Sequence, residues 1–307
     1  MPVICFGELM ADYISLEPGK PLWAVERFEK HAGGSQANVA VGLHHHGVPV
    51  RLWSKVGRDS HGVFLRHQLR AYGLSDAGVA TDTRYPTKIA LVGLDERGVP
   101  DFEMHNMRSA YDTIDLDDLP LGDLADCTLF HFGATTLLAA RSAETTLALL
   151  AKVKAHGALV SFDPNLSLDH IPDPRPFRER FEQALRYVDL LKLQVDDWAA
   201  LMGERTPADV LASGLSMLVL TRGALGATLQ TPDERVDVKV TPVDAVDTTG
   251  AGDAFTAALL AEVVRRSPGV SWAAVSATDL QAWGRIAHGW SCRVLAVRGS
   301  IEAYAPR

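Results

Sequence analysis

The stretch Asp247-Thr248-Thr249-Gly250-Ala251-Gly252-Asp253 stands directly before a strongly helical run at residues 254–260. The run has an apolar face at helical spacing, so the glycines lead into the N-terminus of a helix. Backbone amides are free there, and the helix dipole adds partial positive charge. We therefore predict a site for a phosphate or a developing phosphoryl oxyanion, held by the backbone of Gly250, Ala251 and Gly252.

Asp253 falls in the first turn of this predicted helix, beside the amides that would hold the transferring group. A carboxylate there can accept the proton of a substrate hydroxyl, so we interpret Asp253 as a general base. The helix dipole favours the ionised form and predicts a lowered pKa for Asp253. Phosphoryl transfer tolerates a weak base because it depends mainly on positioning and charge stabilisation. The alternative is a glycine-rich turn in which Asp253 only starts the helix.

Strand-like apolar runs alternate with helical patterns through most of the chain after residue 123. Strands are predicted at residues 128–132, 158–162, 190–193 and 217–221, and helices at 143–156, 176–187, 196–202, 251–266 and 279–294. This alternation indicates an α/β fold whose parallel sheet is covered on both faces. A hairpin pattern at residues 88–94 and 100–105 predicts a small accessory sheet.

The composition is that of an ordinary enzyme. The chain has 307 residues, a formal net charge of -8 and 47% hydrophobic residues, enough for one large α/β domain or two domains. It has no long basic run, so we expect no nucleic-acid partner, and no apolar run of about 18 residues, so we expect no membrane span. The widely spaced Cys5, Cys127 and Cys292, together with a strand-like first segment in place of a signal peptide, favour the cytoplasm.

Two motifs resemble those of a known family. Residues 247–253 resemble the signature D-T-x-G-A-G-D of the ribokinase (PfkB) family of carbohydrate kinases, and residues 31–40 resemble its other signature, G-G-x-x-x-N-x-A. No Walker-A loop is present. The resemblance covers nearly the whole chain. Residues 86–102 and 162–165 are most similar to the fructokinase and 2-keto-3-deoxygluconate kinase branch.

The resemblance implies a ribokinase-like three-layer sandwich, with a central, mostly parallel sheet and a small β-sheet lid. It implies one α/β domain over residues 1–307, with lid strands inserted at about residues 12–32 and 86–108. It also implies an ATP-dependent kinase that phosphorylates a small-molecule sugar and uses Mg²⁺ and K⁺. Because many relatives pair their lids, we expect a homodimer through the lid.

The resemblance assigns sugar binding to Asp12, Gly33, Gly34 and Asn38. The two glycines allow the backbone to approach a polyhydroxylated ligand closely, and the Asn38 amide can both donate and accept hydrogen bonds. Taken singly, Asn38 is better explained as a polar helix residue and Asp12 as a solvated loop residue. Their order along the chain, together with the C-terminal motif, favours the sugar-binding interpretation.

A second loop resembles the family's nucleotide site, T-x-G-x-x-G. Thr221, Gly223 and Gly226 occupy its three fixed positions and are implied ATP contacts. The family's N-x-x-E motif is altered here, because Gln194 stands at its first position. Since a glutamine amide can still donate to a phosphate, Gln194 is also implied in ATP binding.

Metal ions are implied beside this nucleotide site. Asp197 stands where the N-x-x-E motif has glutamate, one methylene shorter, and it can still order a water on Mg²⁺. Asp247, Thr249 and Gly299 lie where relatives often bind a monovalent cation. We therefore expect Mg²⁺ near Asp197 and K⁺ near the other three residues.

Two further departures from the family pattern fall on the substrate side. Ser167 replaces the arginine of D-P-N-x-R, and Asn106 stands where a lid arginine is usual, with Arg108 close by. Arginine is the natural partner of a carboxylate, so its loss favours a neutral sugar such as fructose. The alternatives are a 2-keto-3-deoxygluconate or nucleoside kinase and a non-catalytic sugar-binding regulator.

Overall fold

The computed structural model of the chain defines both the fold and the candidate site. It describes residues 2–105, 108–166, 168, 171, 173–240, 243–266 and 272–304. Asn106 and Ser167, the two substrate-side departures, lie outside the described residues.

The described residues form thirteen strands and eight α-helices. The strands are β1 (Val3–Phe6), β2 (Met10–Ser15), β3 (Phe28–Gly33), β4 (Val50–Gly57), β5 (Val79–Asp82), β6 (Ile89–Leu94), β7 (Pro100–His105), β8 (Leu129–Gly133), β9 (Leu159–Asp163), β10 (Leu190–Gln194), β11 (Met217–Thr221), β12 (Ala227–Gln230) and β13 (Arg235–Val238). The helices are α1 (Ser35–His45), α2 (Ser60–Ala71), α3 (Ala140–Ala155), α4 (Arg175–Leu185), α5 (Trp198–Met202), α6 (Pro207–Ala212), α7 (Ala251–Arg265) and α8 (Ala277–Leu295).

Nine of these strands form a central sheet in the order β13-β12-β11-β10-β9-β8-β1-β4-β5. The seven strands from β11 to β5 pair in parallel, while β12 and β13 extend one edge by antiparallel pairing. A parallel strand has both faces buried and therefore needs a continuous apolar run, as in β1. Because the parallel strands share one direction, their carboxyl ends open on a single edge of the sheet.

Each face of the central sheet is covered by its own hydrophobic core. In β1, Val3 and Cys5 belong to the core that includes buried residues of α1, α2, α7 and α8. Ile4 and Phe6 point to the other core, shared with α3, α4, α5 and α6. This alternation follows from the period of two along a strand. The result is a helix–sheet–helix sandwich of three layers.

Four strands form a separate small sheet in the order β3-β2-β6-β7. Strands β2 and β6 pair in parallel, and the two outer pairs are antiparallel. The Tyr13 hydroxyl lies 2.8 Å from His61 Nε2, which joins β2 to helix α2. Asp59 caps the same helix by accepting the Gly62 amide, and it also accepts the Thr87 amide at 2.7 Å. The small sheet is therefore fixed to the main body through α2.

The predicted α/β fold is confirmed, with a mostly parallel central sheet and a separate small sheet. The predicted strands at residues 190–193 and 217–221 match β10 and β11 within a residue. The helix predicted at residues 196–202 is shorter, because residues 195–197 form a 3₁₀ turn before α5. No strand was predicted at β12 or β13, where polar residues such as Asp237 alternate along an edge.

None of the described helices combines the length and the apolar character needed to cross a lipid bilayer.

Close packing of α1 against α7 predicts opposite effects for two identical substitutions. A Cβ on Gly42 would lie 2.6 Å from Ala257 Cβ and 3.1 Å from Tyr304 Oη. We expect Gly42→Ala to lower the free energy of unfolding by about 1–3 kcal/mol through overpacking. On exposed Gly289 of α8 a Cβ would meet nothing, so Gly289→Ala should raise it by up to about 1 kcal/mol. Urea unfolding measures both, and equal effects of the two substitutions would contradict this packing.

Candidate active site

The start of helix α7 depends on a glycine. Gly250 has φ 78°, in the left-handed region, and a Cβ there would lie 2.5 Å from the Cβ of Ser300. The helix begins at Ala251, whose amide makes one long contact, 3.3 Å, with the Thr248 carbonyl. The amides of Gly252 and Asp253 have no helical acceptor by geometry, and the first regular helical bond runs from the Ala254 amide to the Gly250 carbonyl at 2.9 Å. The predicted helix N-terminus therefore exists at the predicted residue.

Asp253 lies in this first turn with its carboxylate buried among donors from distant parts of the chain. Ser35 Oγ donates to Asp253 Oδ1 at 2.7 Å, and Asn38 Nδ2 donates to Oδ2 at 2.7 Å. Asn165 Nδ2 lies 3.3 Å from Oδ1, and Asn165 itself has φ 43°, a conformation that asparagine tolerates better than most residues. Ser300 Oγ donates to Asn38 Oδ1, which turns the Asn38 nitrogen toward Asp253. The carboxylate is therefore held in one orientation.

The pKa of Asp253 differs from the expectation based on the helix dipole. Burial raises it to about 6, while the hydrogen bonds from Ser35 and Asn38 oppose the rise. The predicted lowering was wrong because removal from water disfavours the charged form more than the donors favour it. A carboxylate with this pKa is a stronger base than an exposed aspartate and is still ionised at neutral pH.

The sugar-side residues of the sequence prediction converge near Asp253. Asp12 in β2 is buried and its Oδ1 has no hydrogen-bond partner among the described residues. Burial raises the pKa of Asp12 to about 8. A Cβ on Gly33 would overlap Asp12 Oδ2, and Gly34 has φ 103°, where a Cβ would overlap the Glu8 carbonyl. The two glycines are needed so that α1, which carries Asn38, can begin against β1 and β2.

Glu8 is a site residue that the sequence analysis missed. It is buried, accepts the Ser35 amide at 3.3 Å and accepts a hydrogen bond from the Thr135 hydroxyl. The Gln36 amide nitrogen, in its satisfied orientation, lies 2.7 Å from Glu8 Oε2. The available signal was an acidic residue two positions after the apolar run of β1, at the end of a parallel strand where ligands bind.

A buried ion pair lies behind Asp253 and was also missed. Lys192 Nζ donates to Asp163 Oδ2 at 2.6 Å, and Thr256 Oγ1 donates to the same oxygen at 3.0 Å. Asp163 is the last residue of β9, and Lys192 is the middle residue of the neighbouring parallel strand β10. In the sequence Lys192 stands in an otherwise apolar run, and a charge within such a run was the available signal.

The predicted nucleotide-side residues lie along neighbouring strand ends. Gln194 and Thr221 are paired in register at the ends of β10 and β11. Gly223 and Gly226 follow with φ 52° and 94°, and a Cβ on Gly226 would overlap the Val238 carbonyl. Ligands of open α/β sheets bind at these carboxyl ends, so the placement suits a nucleotide.

The predicted cation residues also come together. Asp247 is fully buried and accepts the amides of Thr249 and Gly299, both at 2.9 Å. The Thr249 hydroxyl is buried without a hydrogen-bond partner among the described residues. Carboxylate and hydroxyl oxygens fit a hard monovalent cation. Asp197, partly exposed just before α5, offers the oxygen chemistry that Mg²⁺ prefers.

The raised pKa of Asp253 predicts a pH-dependent gain of stability in Asp253→Asn. The ordinary value is 3.8, and the folded value is about 6, so the folded state binds the extra proton. The wild type therefore loses free energy of unfolding as the pH rises from about 4 to about 6, by on the order of 3 kcal/mol in all. We expect the unfolding free energy of Asp253→Asn, relative to the wild type, to rise between about pH 4 and pH 7. A difference that stays constant across this range in urea unfolding would refute the raised pKa.

Comparison with known proteins agrees with this arrangement. The family model of pfkB family carbohydrate kinases matches residues 2–306. Probable fructokinase-2 of Arabidopsis thaliana is 32% identical over 267 residues, which is 85% of this chain and 81% of that protein. An uncharacterized sugar kinase of Pyrococcus horikoshii has a solved structure with a TM-score of 0.86 and 31% identity, covering 100% of this chain and 95% of that one.

A third similar structure contains bound ligands. Fructokinase of Vibrio cholerae O395, in a double-mutant form with fructose, ADP and potassium ion bound, has a TM-score of 0.84 and 26% identity, covering 99% of this chain and 94% of that one. The expected family resemblance is thus confirmed over nearly the full length. This chain belongs to the pfkB family of carbohydrate kinases.

Proposed function

We propose that this chain transfers the γ-phosphoryl group of ATP to a hydroxyl of a free, neutral sugar, with Asp253 as the general base. The observation that carries the proposal is the buried Asp253 carboxylate at the N-terminus of α7, next to the sugar-side residues of α1 and β2. One helix start thus combines a base of raised pKa with amides suited to an oxyanion. Family membership makes the chain a sugar kinase, and the geometry supports the proposed mechanism.

In the proposed mechanism Asp253 accepts the proton of the sugar hydroxyl as its oxygen bonds to the γ-phosphorus. The bond from that phosphorus to the bridging oxygen breaks, and ADP leaves with the electron pair. The amides of Gly250, Ala251 and Gly252 stabilise the charge on the transferring oxygens. Asn38 and Ser35 hold the Asp253 carboxylate toward the sugar. Gln194, Thr221, Gly223 and Gly226 bind the nucleotide in this proposal.

The charge of the site supports a neutral sugar. Glu8, Asp12 and Asp253 are three buried carboxyl groups on the sugar side, and the Asp12 Oδ1 atom is available for a hydrogen bond with a hydroxyl. The ionised Asp253 would repel an anionic sugar, whereas the Asp12 carboxyl, whose pKa burial raises to about 8, can exchange hydrogen bonds with sugar hydroxyls. These features favour a sugar such as fructose over 2-keto-3-deoxygluconate.

The relatives support the same substrate class. Two similar proteins, each 32% identical to this chain, are probable fructokinase-2 of Arabidopsis thaliana and the fructokinase of Rhizobium leguminosarum bv. trifolii. We infer fructose as the first sugar to test. The intact Asp253 and its donors argue against a non-catalytic regulator, because such a protein needs no base at a helix N-terminus.

The ions in this proposal are Mg²⁺ and K⁺. ATP is bound in a structure of the Pyrococcus horikoshii relative, and potassium ion is bound in the Vibrio cholerae fructokinase. Asp197 would hold Mg²⁺ through water, and the ion would neutralise phosphate charge. Asp247, Thr249 and Gly299 would hold K⁺, which screens the negative charge close to the helix start.

We infer that the small sheet is a lid of a single domain and that two lids pair in a homodimer. Phe102 and Met104 in the edge strand β7 are 40% and 39% exposed, although each is apolar. They lie opposite Val92 and Ala90, and Ala90 pairs with Asp12, so all share the sheet face that carries Asp12. Ala90 and Val92 are already buried within the chain, so the partner's lid would cover the exposed side chains of Phe102 and Met104 at the edge.

The dimer proposal predicts a monomer when the exposed apolar pair is made polar. Phe102→Ser combined with Met104→Ser should shift the chain from dimer to monomer in sedimentation equilibrium. Trp23→Ser is the matched control, because Trp23 is 88% exposed beside Leu22, which packs over Gly93 on the opposite face of the small sheet. A monomeric wild type, or a dimer that survives the double substitution, would overturn the proposal.

The proposed activity is tested with purified protein, Mg-ATP and K⁺ against a panel of fructose, other neutral sugars, 2-keto-3-deoxygluconate and nucleosides, with release of ADP as the signal. We expect turnover with a neutral sugar, and a fall of about 10²-fold or more in Asp253→Asn because the general base is lost. ATP binding to this variant should persist in calorimetry. Sugar binding without ADP release for every compound would leave the regulator interpretation in place and reject the kinase.

A further inference from the structure

Lys192 is a buried cation that the mechanism above does not use. Its side chain is 7% exposed, and that of its partner Asp163 is 3% exposed. The Lys192 Nζ to Asp163 Oδ2 distance is 2.6 Å, short enough for a charge-assisted hydrogen bond. Removing both charges from water costs several kcal/mol, and an apolar pair of similar volume would often be as stable. Fold stability alone therefore does not account for an ammonium at this place.

The ammonium of Lys192 faces the start of helix α7. Its Nζ lies 3.6 Å from the position that a Cβ on Gly252 would occupy. A lysine ammonium carries three N–H donors, and Asp163 is the hydrogen-bond acceptor recorded for it within the described part of the chain. Two donors therefore remain beside the backbone at which the transferring phosphoryl group would be held.

The position of this ammonium is fixed by its partner. Asp163 ends β9, and its Oδ2 receives both Lys192 Nζ and Thr256 Oγ1. Thr256 lies three residues after Asp253 on α7, so the ion pair is tied to the same helix. A donor that is already oriented needs no reorganisation when charge develops nearby, which is the condition for effective electrostatic catalysis.

We propose that Lys192 is a catalytic residue whose ammonium, oriented by Asp163, donates to a non-bridging oxygen of the γ-phosphoryl group during transfer. This inference rests on the proposed kinase function and deepens it. Lys192 keeps its proton throughout, because the proton of the sugar hydroxyl goes to Asp253. The new bond joins the sugar oxygen to phosphorus, and the broken bond releases ADP with its electron pair. Lys192 adds a fixed positive charge to the amides at the helix start.

The test uses a variant that preserves the balance of buried charge. Lys192→Met alone would leave Asp163 buried without a neighbouring cation, so it is combined with Asp163→Asn. The control is Lys55→Met with Asp82→Asn, which removes a second buried pair at 3.2 Å with side chains 9% and 4% exposed, outside the proposed site. Lys55 also contacts Asp118 at 2.8 Å, and the Asp118 side chain is 22% exposed, so water can still solvate it in this variant. Urea unfolding of both double variants checks that each one folds.

The first readout is binding, measured by calorimetry with fructose, or the sugar found active, present. The probes are ADP alone and ADP with aluminium fluoride, an anionic mimic of the phosphoryl group in transfer. We expect the Lys192→Met/Asp163→Asn variant to bind ADP as the wild type does but to lose about tenfold or more in affinity for ADP with aluminium fluoride. Its kcat should fall by about 10²–10³-fold with little change in the KM for the sugar.

The outcomes separate this inference from the proposed function. If the wild type transfers phosphoryl to no sugar, the kinase proposal itself fails. If the wild type is active and the Lys192→Met/Asp163→Asn variant keeps both its kcat and its affinity for ADP with aluminium fluoride, Lys192 is not catalytic. An equal loss in the Lys55→Met/Asp82→Asn control would show a general effect of removing a buried pair and would also overturn the inference.

Discussion

The burial of the Asp253 carboxylate is the constraint on which the site depends. Burying an aspartate carboxylate costs free energy unless hydrogen-bond donors surround it. The donors to Asp253, Ser35 and Asn38, come from α1, more than two hundred residues earlier in the chain. Helix α1 must therefore pack closely on α7, and Gly42 allows this by leaving room for Ala257. The same requirement fixes the two glycines before α1. The close packing of α1 on α7 therefore both buries Asp253, which raises its pKa, and supplies its hydrogen-bond donors.

Around this carboxylate the site divides by charge. Glu8 and Asp12 lie on the sugar side, where hydroxyl groups can donate to them. On the opposite side lie the N-terminus of α7 and the Lys192 ammonium, which in the proposed mechanism face the phosphate oxygens. Asp253 lies between the two sides, where the proposal has a proton leave the sugar and a phosphoryl group arrive. The fold produces this division because parallel strands bring all their carboxyl ends to one edge of the sheet.

Local sequence signals predicted the parts that depend on local chemistry. The residue at which α7 begins follows from its glycines, and the three-layer α/β class follows from the alternation of strands and helices. Glu8 and the pair Lys192–Asp163 were missed because their roles depend on burial and on partners distant in sequence. The pKa of Asp253 was predicted in the wrong direction for the same reason, since the dipole is local and the burial is not.

The central claim is that phosphoryl transfer takes place at the start of α7, between its amides and Asp253. A crystal structure of the chain with ADP, aluminium fluoride and the active sugar tests it most directly. The account predicts the fluoride group within hydrogen-bond distance of the amides of Gly250, Ala251 and Gly252, with one sugar hydroxyl directed at the Asp253 carboxylate. A fluoride group bound away from this helix start, or a sugar hydroxyl directed at another base, would contradict the account.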